Sequence, residues 1–179
     1  MSSKDNDWNH TEDEVRQWFN AVDTDRSGEL SVEELRQALK NADNSSFSYQ
    51  TISLMIRMIN TRNTDTLNLN EFHAMMIYIN RWKKMFNLFD IDGNNSIDKE
   101  ELKEALYRLK LQISDHIIQL LLKKYSRNLD GETINFDQFI NICISLNSIT
   151  EAFRYQDRNK QGILYLSYEE FLIQILNLI

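Results

Sequence analysis

The stretch Asp90–Glu101, DIDGNNSIDKEE, decides how the chain is read, because it places an oxygen-bearing group at every position a calcium loop requires. Asp90, Asp92 and Asn94, at positions one, three and five, offer side-chain oxygens, and Ser96 at seven offers its backbone carbonyl. Glu101 at twelve can close the site with two oxygens, while Ile97 at eight points away from the metal. Hard oxygen donors suit a hard cation such as Ca2+, and the loop holds no Cys or His for a softer one. Position six demands a sharp turn that glycine usually makes. Asn95 stands there, the side-chain-bearing residue that enters the left-handed region most readily.

The same EF-hand template recurs four more times, anchored on Leu30, Leu67, Ile134 and Leu164 at position eight. Loops then start at Asp23, Asn60, Asp90, Arg127 and Asp157, with spacings of 37, 30, 37 and 30 residues. So regular a period implies five helix–loop–helix repeats. The expected fold is all-α, with short antiparallel strand pairs between loops, two pairs of hands and an odd fifth. All four glycines, Gly28, Gly93, Gly131 and Gly162, fall inside loops. A short polar tail over residues 1–10 should precede one five-hand domain over 11–179, with loops at 23–34, 60–71, 90–101, 127–138 and 157–170.

Composition narrows the class. Of the 179 residues 42% are hydrophobic and 26% charged, the balance of a soluble globular protein with a real core. A net charge of -7, with no basic stripe interleaved with aromatics, argues against a nucleic-acid partner. One cysteine, Cys143, excludes an internal disulfide framework and fits a reducing, cytoplasmic setting. The segment MSSKDNDWNH has no apolar signal region, residue two is Ser rather than Gly, and no prenylation box closes the sequence. No span reaches the roughly 18 apolar residues of a membrane helix, so membrane contact is expected to be peripheral at most and conditional on calcium. No nucleophile, phosphate loop or acid–base pair supports an enzyme.

The five loops differ in quality. The first, Asp23–Glu34, DTDRSGELSVEE, is complete: Asp23, Asp25, Ser27, the Glu29 carbonyl and Glu34. Thr11–Glu14 reads as a capping box, and Ser31 with Glu34 and Asp98 with Glu101 as capping pairs, so each closing glutamate sits in the first turn of an exit helix. Calcium is therefore expected to draw Glu34 and Glu101 inward, reorient those helices and expose apolar surface. In the second loop Asn60 stands at one, Arg62 at three and Asp65 at six; a cation at three opposes a metal, and pairing with the first loop is the expected role. The fourth, with Arg127, Leu129, Gly131 and Gln138, should bind nothing. The fifth starts with Asp157, Asn159, Gln161 and Gly162, but Tyr165, Leu166 and Tyr168 follow and Glu169 or Glu170 arrives late, so chelation is not expected.

Helical periodicity runs unbroken from Phe72 to Phe89 and from Phe136 to about Tyr155, so two helices should each serve two hands. Trp82, on the first of these, is either core or a platform for extended peptides. Cys143 reads as an inert core thiol, and His10, His73 and His116 share no ligand spacing. In the last helix Tyr168, Phe171, Leu172, Ile175, Leu176 and Ile179, joined by Ile173 and Leu178, leave it apolar nearly all round, so it should be buried on more than one side. With the unpaired strand at Leu164, it predicts a homodimer through the fifth hand, Leu164 and helix 168–179 pairing across a two-fold axis.

Five hands, two shared helices and a degenerate last loop together resemble the penta-EF-hand family, which includes the calpain small subunit, sorcin and grancalcin. VDTDRSGELSVEELRQAL, WKKMFNLFDIDGNNSIDKEELKEAL and INFDQFI look most similar to its programmed cell death protein six branch. The resemblance implies a calcium sensor that dimerises through the fifth hand and, when loaded, binds proline-rich or other short segments of target proteins. Carried over by position, the implied ligands are Asp23, Asp25, Ser27, Glu29 and Glu34, with Asp90, Asp92, Asn94, Ser96 and Glu101. The Gly/Pro-rich N-terminal extension common in the family has no counterpart in a chain with no proline, so extension-dependent functions are not expected. A calpain-like protease regulatory subunit and a calcium buffer without targets are the alternatives.

Overall fold

A computed structural model of the chain describes residues 11–62, 64–126 and 131–178. The expected polar tail, His10, Arg127, Leu129 and Ile179 lie outside them. The described residues form eight helices and one two-stranded sheet: α1 Glu12–Val22, β1 Leu30–Ser31, α2 Val32–Ala38, α3 Tyr49–Ile59, β2 Thr66–Leu67, α4 Leu69–Phe89, α5 Lys99–Arg108, α6 Asp115–Tyr125, α7 Phe136–Gln156 and α8 Tyr168–Leu178. The all-α expectation holds.

Helix starts follow one rule. Ser31, Asn68, Asp98 and Asn135, each at loop position nine, cap α2, α4, α5 and α7, and the residue at position twelve reaches back to the cap's backbone N–H. The residue that would close a metal site is thus also the N3 residue of the exit helix. The fifth hand keeps the device but shifts it by two residues: Ser167 N donates to Glu170 Oε2 (2.8 Å), at loop positions eleven and fourteen.

Position eight joins the hands. Leu30 pairs with Leu67 and Ser31 with Thr66 in the β1–β2 sheet. Hands three and four meet more sparingly than expected, through one bridge in which Ile97 and Ile134 exchange N–H···O bonds of 2.7 and 2.9 Å. All four apolar residues are fully buried, so the bridging backbone is shielded from competing water. Leu164 has no strand partner among the described residues.

The two shared helices form the spine. At 21 residues α4 is about 31 Å long. Its first half buries Phe72, Met75 and Met76 under hands one and two, with Trp18 and Phe19 set edge-on to Phe72 at 5.8 Å. Its second half meets α7, where Phe86 lies edge-on to Phe136 (5.4 Å) and Phe139 (5.6 Å). Each buried aromatic contributes about 2 to 3 kcal/mol by burial, and each edge-on pair about 1 kcal/mol more.

A buried polar network also links the halves. Asp137, fully buried, accepts from Ser48 N (3.1 Å) and Ser48 Oγ (3.3 Å) at the start of α3, and its own N–H donates to Asn41 Oδ1 (3.0 Å). Asn141, one turn along α7, donates to Thr51 Oγ1 (3.1 Å). The 41–48 segment is therefore a docking element.

The last helix is largely bare within the single chain. Phe171, Leu172, Ile173, Ile175 and Leu176 are 38–70% exposed, and no other element packs extensively against α8. Cys143 is buried, and burial pushes its thiol pKa up, as an inert core thiol requires. No described helix is long and apolar enough to cross a membrane.

Candidate metal centres

The first and third loops bring their acids together. The carboxylates of Asp23, Asp25 and Glu34 converge to within 4.8 Å of one another, as do those of Asp90, Asp92 and Glu101, and no other such group occurs among the described residues. Backbone conformation explains the convergence. Positions four and six of the first loop, Arg26 (φ 59°) and Gly28 (φ 79°), are left-handed, as are Gly93 (φ 69°) and Asn95 (φ 61°) in the third. Two left-handed residues curl the chain so that odd-numbered side chains face inward. Asn95 makes the turn in place of glycine, as its chemistry allows.

Each closing glutamate is already folded over its loop. Glu34 Oε1 accepts from Thr24 N (2.8 Å) and Thr24 Oγ1 (3.0 Å), and Oε2 from Ser31 N (2.9 Å). Glu101 repeats this with Ile91 N (2.8 Å) and Asp98 N (3.0 Å). Burial opposes ionisation of Glu34, but the donors from Ser31 and Thr24 outweigh it and bring its pKa down to about 2. The group is an anion at any physiological pH, so no proton competes with a cation. Both closing glutamates lie inward, over their loops. Thr24 and Ile91 at position two hold them through backbone N–H groups, which any residue there would supply, and Thr24 adds its hydroxyl.

The remaining candidates are arranged as follows. Asp23 accepts from Ser27 N (3.0 Å) and Gly28 N (2.9 Å), and Asp25 Oδ1 from Ser27 N (2.9 Å). Ser27 Oγ donates to the Glu29 carbonyl (2.8 Å), and the Glu29 carboxylate turns away toward the second hand. Asn94 Nδ2 lies 2.7 Å from Asp92 Oδ2 and Asn94 Oδ1 accepts from Ser96 N (2.7 Å), so coordination through Asn94 needs its amide to turn. Asp90 Oδ2 accepts from Asn95 N (3.0 Å), whereas its Oδ1 is buried and no donor reaches it. A buried carboxylate oxygen without a donor is costly unless a cation takes it. An all-oxygen donor set with such an orphan fits Ca2+.

The other loops are built differently. No described residue of the second loop is left-handed, and its cavity is crossed by Arg62. In the fourth, Gln138 Oε1 caps α7 through Asn135 N (2.8 Å). The fifth begins like the first, with Asp157 accepting from Gln161 N (3.0 Å) and Gly162 N (2.7 Å), but its capping glutamate, Glu170, stands at position fourteen, two residues past the closing position.

A second feature lies on the spine. Trp82 is half-buried, edge-on to Tyr78 and Phe139 at 6.0 Å, and with Met58, Tyr78, Leu109, Leu111 and Cys143 it lines a cavity of about 250 Å³. One side of the indole thus packs against the core and another lines the cavity.

The EF-hand domain pair model matches residues 11–77 and again 79–144. Peflin of Xenopus laevis is 37% identical over 159 residues, 89% of this chain and 56% of its own length. The chain thus spans a little over half the length of the peflins it matches. Human sorcin is 30% identical over 166 residues, covering 90% of this chain and 82% of sorcin. A solved homologue of programmed cell death 6 protein from Leishmania major Friedlin superposes with a TM-score of 0.75 at 27% identity, covering 92% of this chain and 94% of that one.

Proposed function

The chain belongs to the penta-EF-hand family of calcium-binding proteins, and from that premise we propose that it is a calcium-responsive adaptor rather than a catalyst. Residues 11–179 act as one five-hand domain. Ca2+ is held by Asp23, Asp25, Ser27, the Glu29 carbonyl and Glu34 in the first hand, and by Asp90, Asp92, Asn94, the Ser96 carbonyl and Glu101 in the third. The observation that carries this reading is the convergence of two carboxylate triads in a chain that also leaves apolar side chains of α8 exposed. Three carboxylates so close repel one another, and a divalent cation makes their convergence favourable. Because Glu34 and Glu101 are also the N3 residues of α2 and α5, neutralising them alters the helix starts directly.

Two surfaces receive the signal. The Trp82 cavity is walled by aromatic and thioether groups, which suits an extended apolar or proline-rich segment of a target. Fluorescence of an apolar dye should rise on adding Ca2+, and the calcium-dependent part should fall by about half or more in Trp82→Ala if this cavity is the exposed surface. An unchanged dye signal would instead describe a buffer.

The fifth hand supports a homodimer. Exposed Ile163, Tyr165 and Tyr168 flank the apolar α8, and an odd strand edge repeated by a two-fold axis satisfies both copies. Sedimentation velocity at micromolar concentration should show a dimer, and Leu172→Glu should weaken it by about tenfold or more, since it buries a charge. A wild-type monomer with and without calcium would overturn the assignment. The cytoplasm is the proposed setting, with membrane association peripheral and conditional on calcium.

A further inference from the structure

The second loop has the closing glutamate of a calcium loop yet places N–H donors where a cation would sit. Asn60, at position one, points its amide inward: Nδ2 donates to the Thr64 carbonyl (2.8 Å), Thr64 Oγ1 (2.6 Å) and the Thr66 carbonyl (2.7 Å). Its Oδ1 accepts from Arg62 N (2.7 Å), which fixes the orientation of the amide. Of these, Thr64 Oγ1 at position five and the Thr66 carbonyl at position seven are oxygens of the kind that face calcium in a functional loop. Arg62, at position three, extends its guanidinium to the position-twelve carboxylate: Nε meets Glu71 Oε1 at 3.1 Å and Nη2 meets Glu71 Oε2 at 2.8 Å. This is a fork-to-fork pair, the geometry an ammonium cannot reproduce.

The third arm of the guanidinium leaves the loop. Arg62 Nη1 donates to Glu29 Oε1 at 2.5 Å, and Glu29 Oε2 accepts from Thr66 Oγ1 on β2. Glu29 occupies position seven of the first loop, where its backbone carbonyl is the proposed calcium ligand. One side chain therefore grips the closing residue of hand two and the carbonyl-bearing residue of hand one. Hydrogen bonds to Glu71 and Glu29 push the Arg62 pKa up, so the cation is permanent.

We propose that Asn60 and Arg62 form a built-in substitute for calcium that holds the second hand closed in all states and clamps Glu29, presetting the first site for its ion. Arg62 is on this account a positioning residue for calcium binding in hand one. The affinity part of the inference rests on the first-hand site proposed above; the closure of loop two does not.

Charge and clamping make opposite forecasts. Deleting a cation near the first site would by charge alone tighten Ca2+ there, whereas loss of the clamp weakens it. The test uses the full chain with Arg62→Ala, Arg62→Lys and Glu29→Gln. In chelator, hydrogen exchange over residues 60–71 should quicken by about tenfold in Arg62→Ala. By calorimetry its first-site dissociation constant should rise by about tenfold, the usual effect of removing a residue that orients a ligand. Arg62→Lys should recover less than half of either change on a logarithmic scale, and Glu29→Gln should weaken calcium without loosening loop two. Tighter or unchanged calcium in Arg62→Ala, or a lysine variant equal to wild type, would overturn the clamp. Unchanged exchange in chelator would overturn the closure of loop two whether or not hand one binds calcium.

Discussion

Glu101→Ala should remove the third-hand calcium site and Glu34→Ala the first, each variant titrating with one site fewer than the wild type. Affinity at the affected loop should fall by on the order of a hundredfold, about 2.7 kcal/mol, because the closing glutamate supplies two of the oxygens and the last unit of negative charge. The intact sites should lie in the sensor range of roughly 10⁻⁷ to 10⁻⁵ M. Each glutamate also caps a helix, so alanine removes two functions at once, and the cap alone is worth about 1 kcal/mol. The chain contains the control. Gln138, at position twelve of the fourth loop, caps α7 through Asn135 with no carboxylate. Glu34→Gln and Glu101→Gln should therefore keep their helices, by unchanged thermal unfolding in chelator, and still lose their ions. Two undiminished sites in either glutamine variant would show that these loops are not the chelators.

What the sequence made legible was local. A calcium loop is twelve consecutive residues whose chemistry is set by position, so Asp23, Asp25, Glu34, Asp90, Asp92 and Glu101 could be assembled by counting, and they converge as counted. The shared helices were legible for the same reason, since one unbroken period from Phe72 to Phe89 leaves no room for a turn. The fifth hand was half legible. Its apolar helix announced unpaired surface, but periodicity could not say that the chain's own elements would leave it bare.

Long-range polar contacts left no such signal. Glu29 and Arg62 are 33 residues apart, and Ser48 and Asp137 are 89 apart. Arg62 was visible as an obstacle to a metal, though only the folded hand pair turns that obstacle into a ligand for Glu71 and Glu29. Asp137 sits in a loop dismissed for its missing acids, at a position that is not a ligand position. Nothing local distinguishes it from a surface aspartate.

That residue carries a large stability effect for a polar substitution outside the metal loops. Asp137→Ala should lower unfolding free energy by about 2 to 3 kcal/mol, since hydrogen bonds to a charged acceptor are worth roughly twice neutral ones and the backbone N–H of Ser48 would be left buried without its acceptor. Ser48 is also the N-cap of α3, so its orphaned N–H lies at the point where hands one and two dock on α7. Asp137→Asn retains one carbonyl oxygen and should recover part of the loss. Urea unfolding in chelator, at one protein concentration because a dimer would make the midpoint concentration-dependent, reads the difference directly. A midpoint for Asp137→Ala equal to wild type would mean that water replaces the carboxylate and that the apolar contacts of Phe47, Phe86, Phe136 and Phe139, with the remaining polar contacts, suffice to join the halves. A loss of the expected size, with the calcium sites intact, would identify the Ser48–Asp137 contact as the polar joint that fixes how the first pair of hands sits on the second.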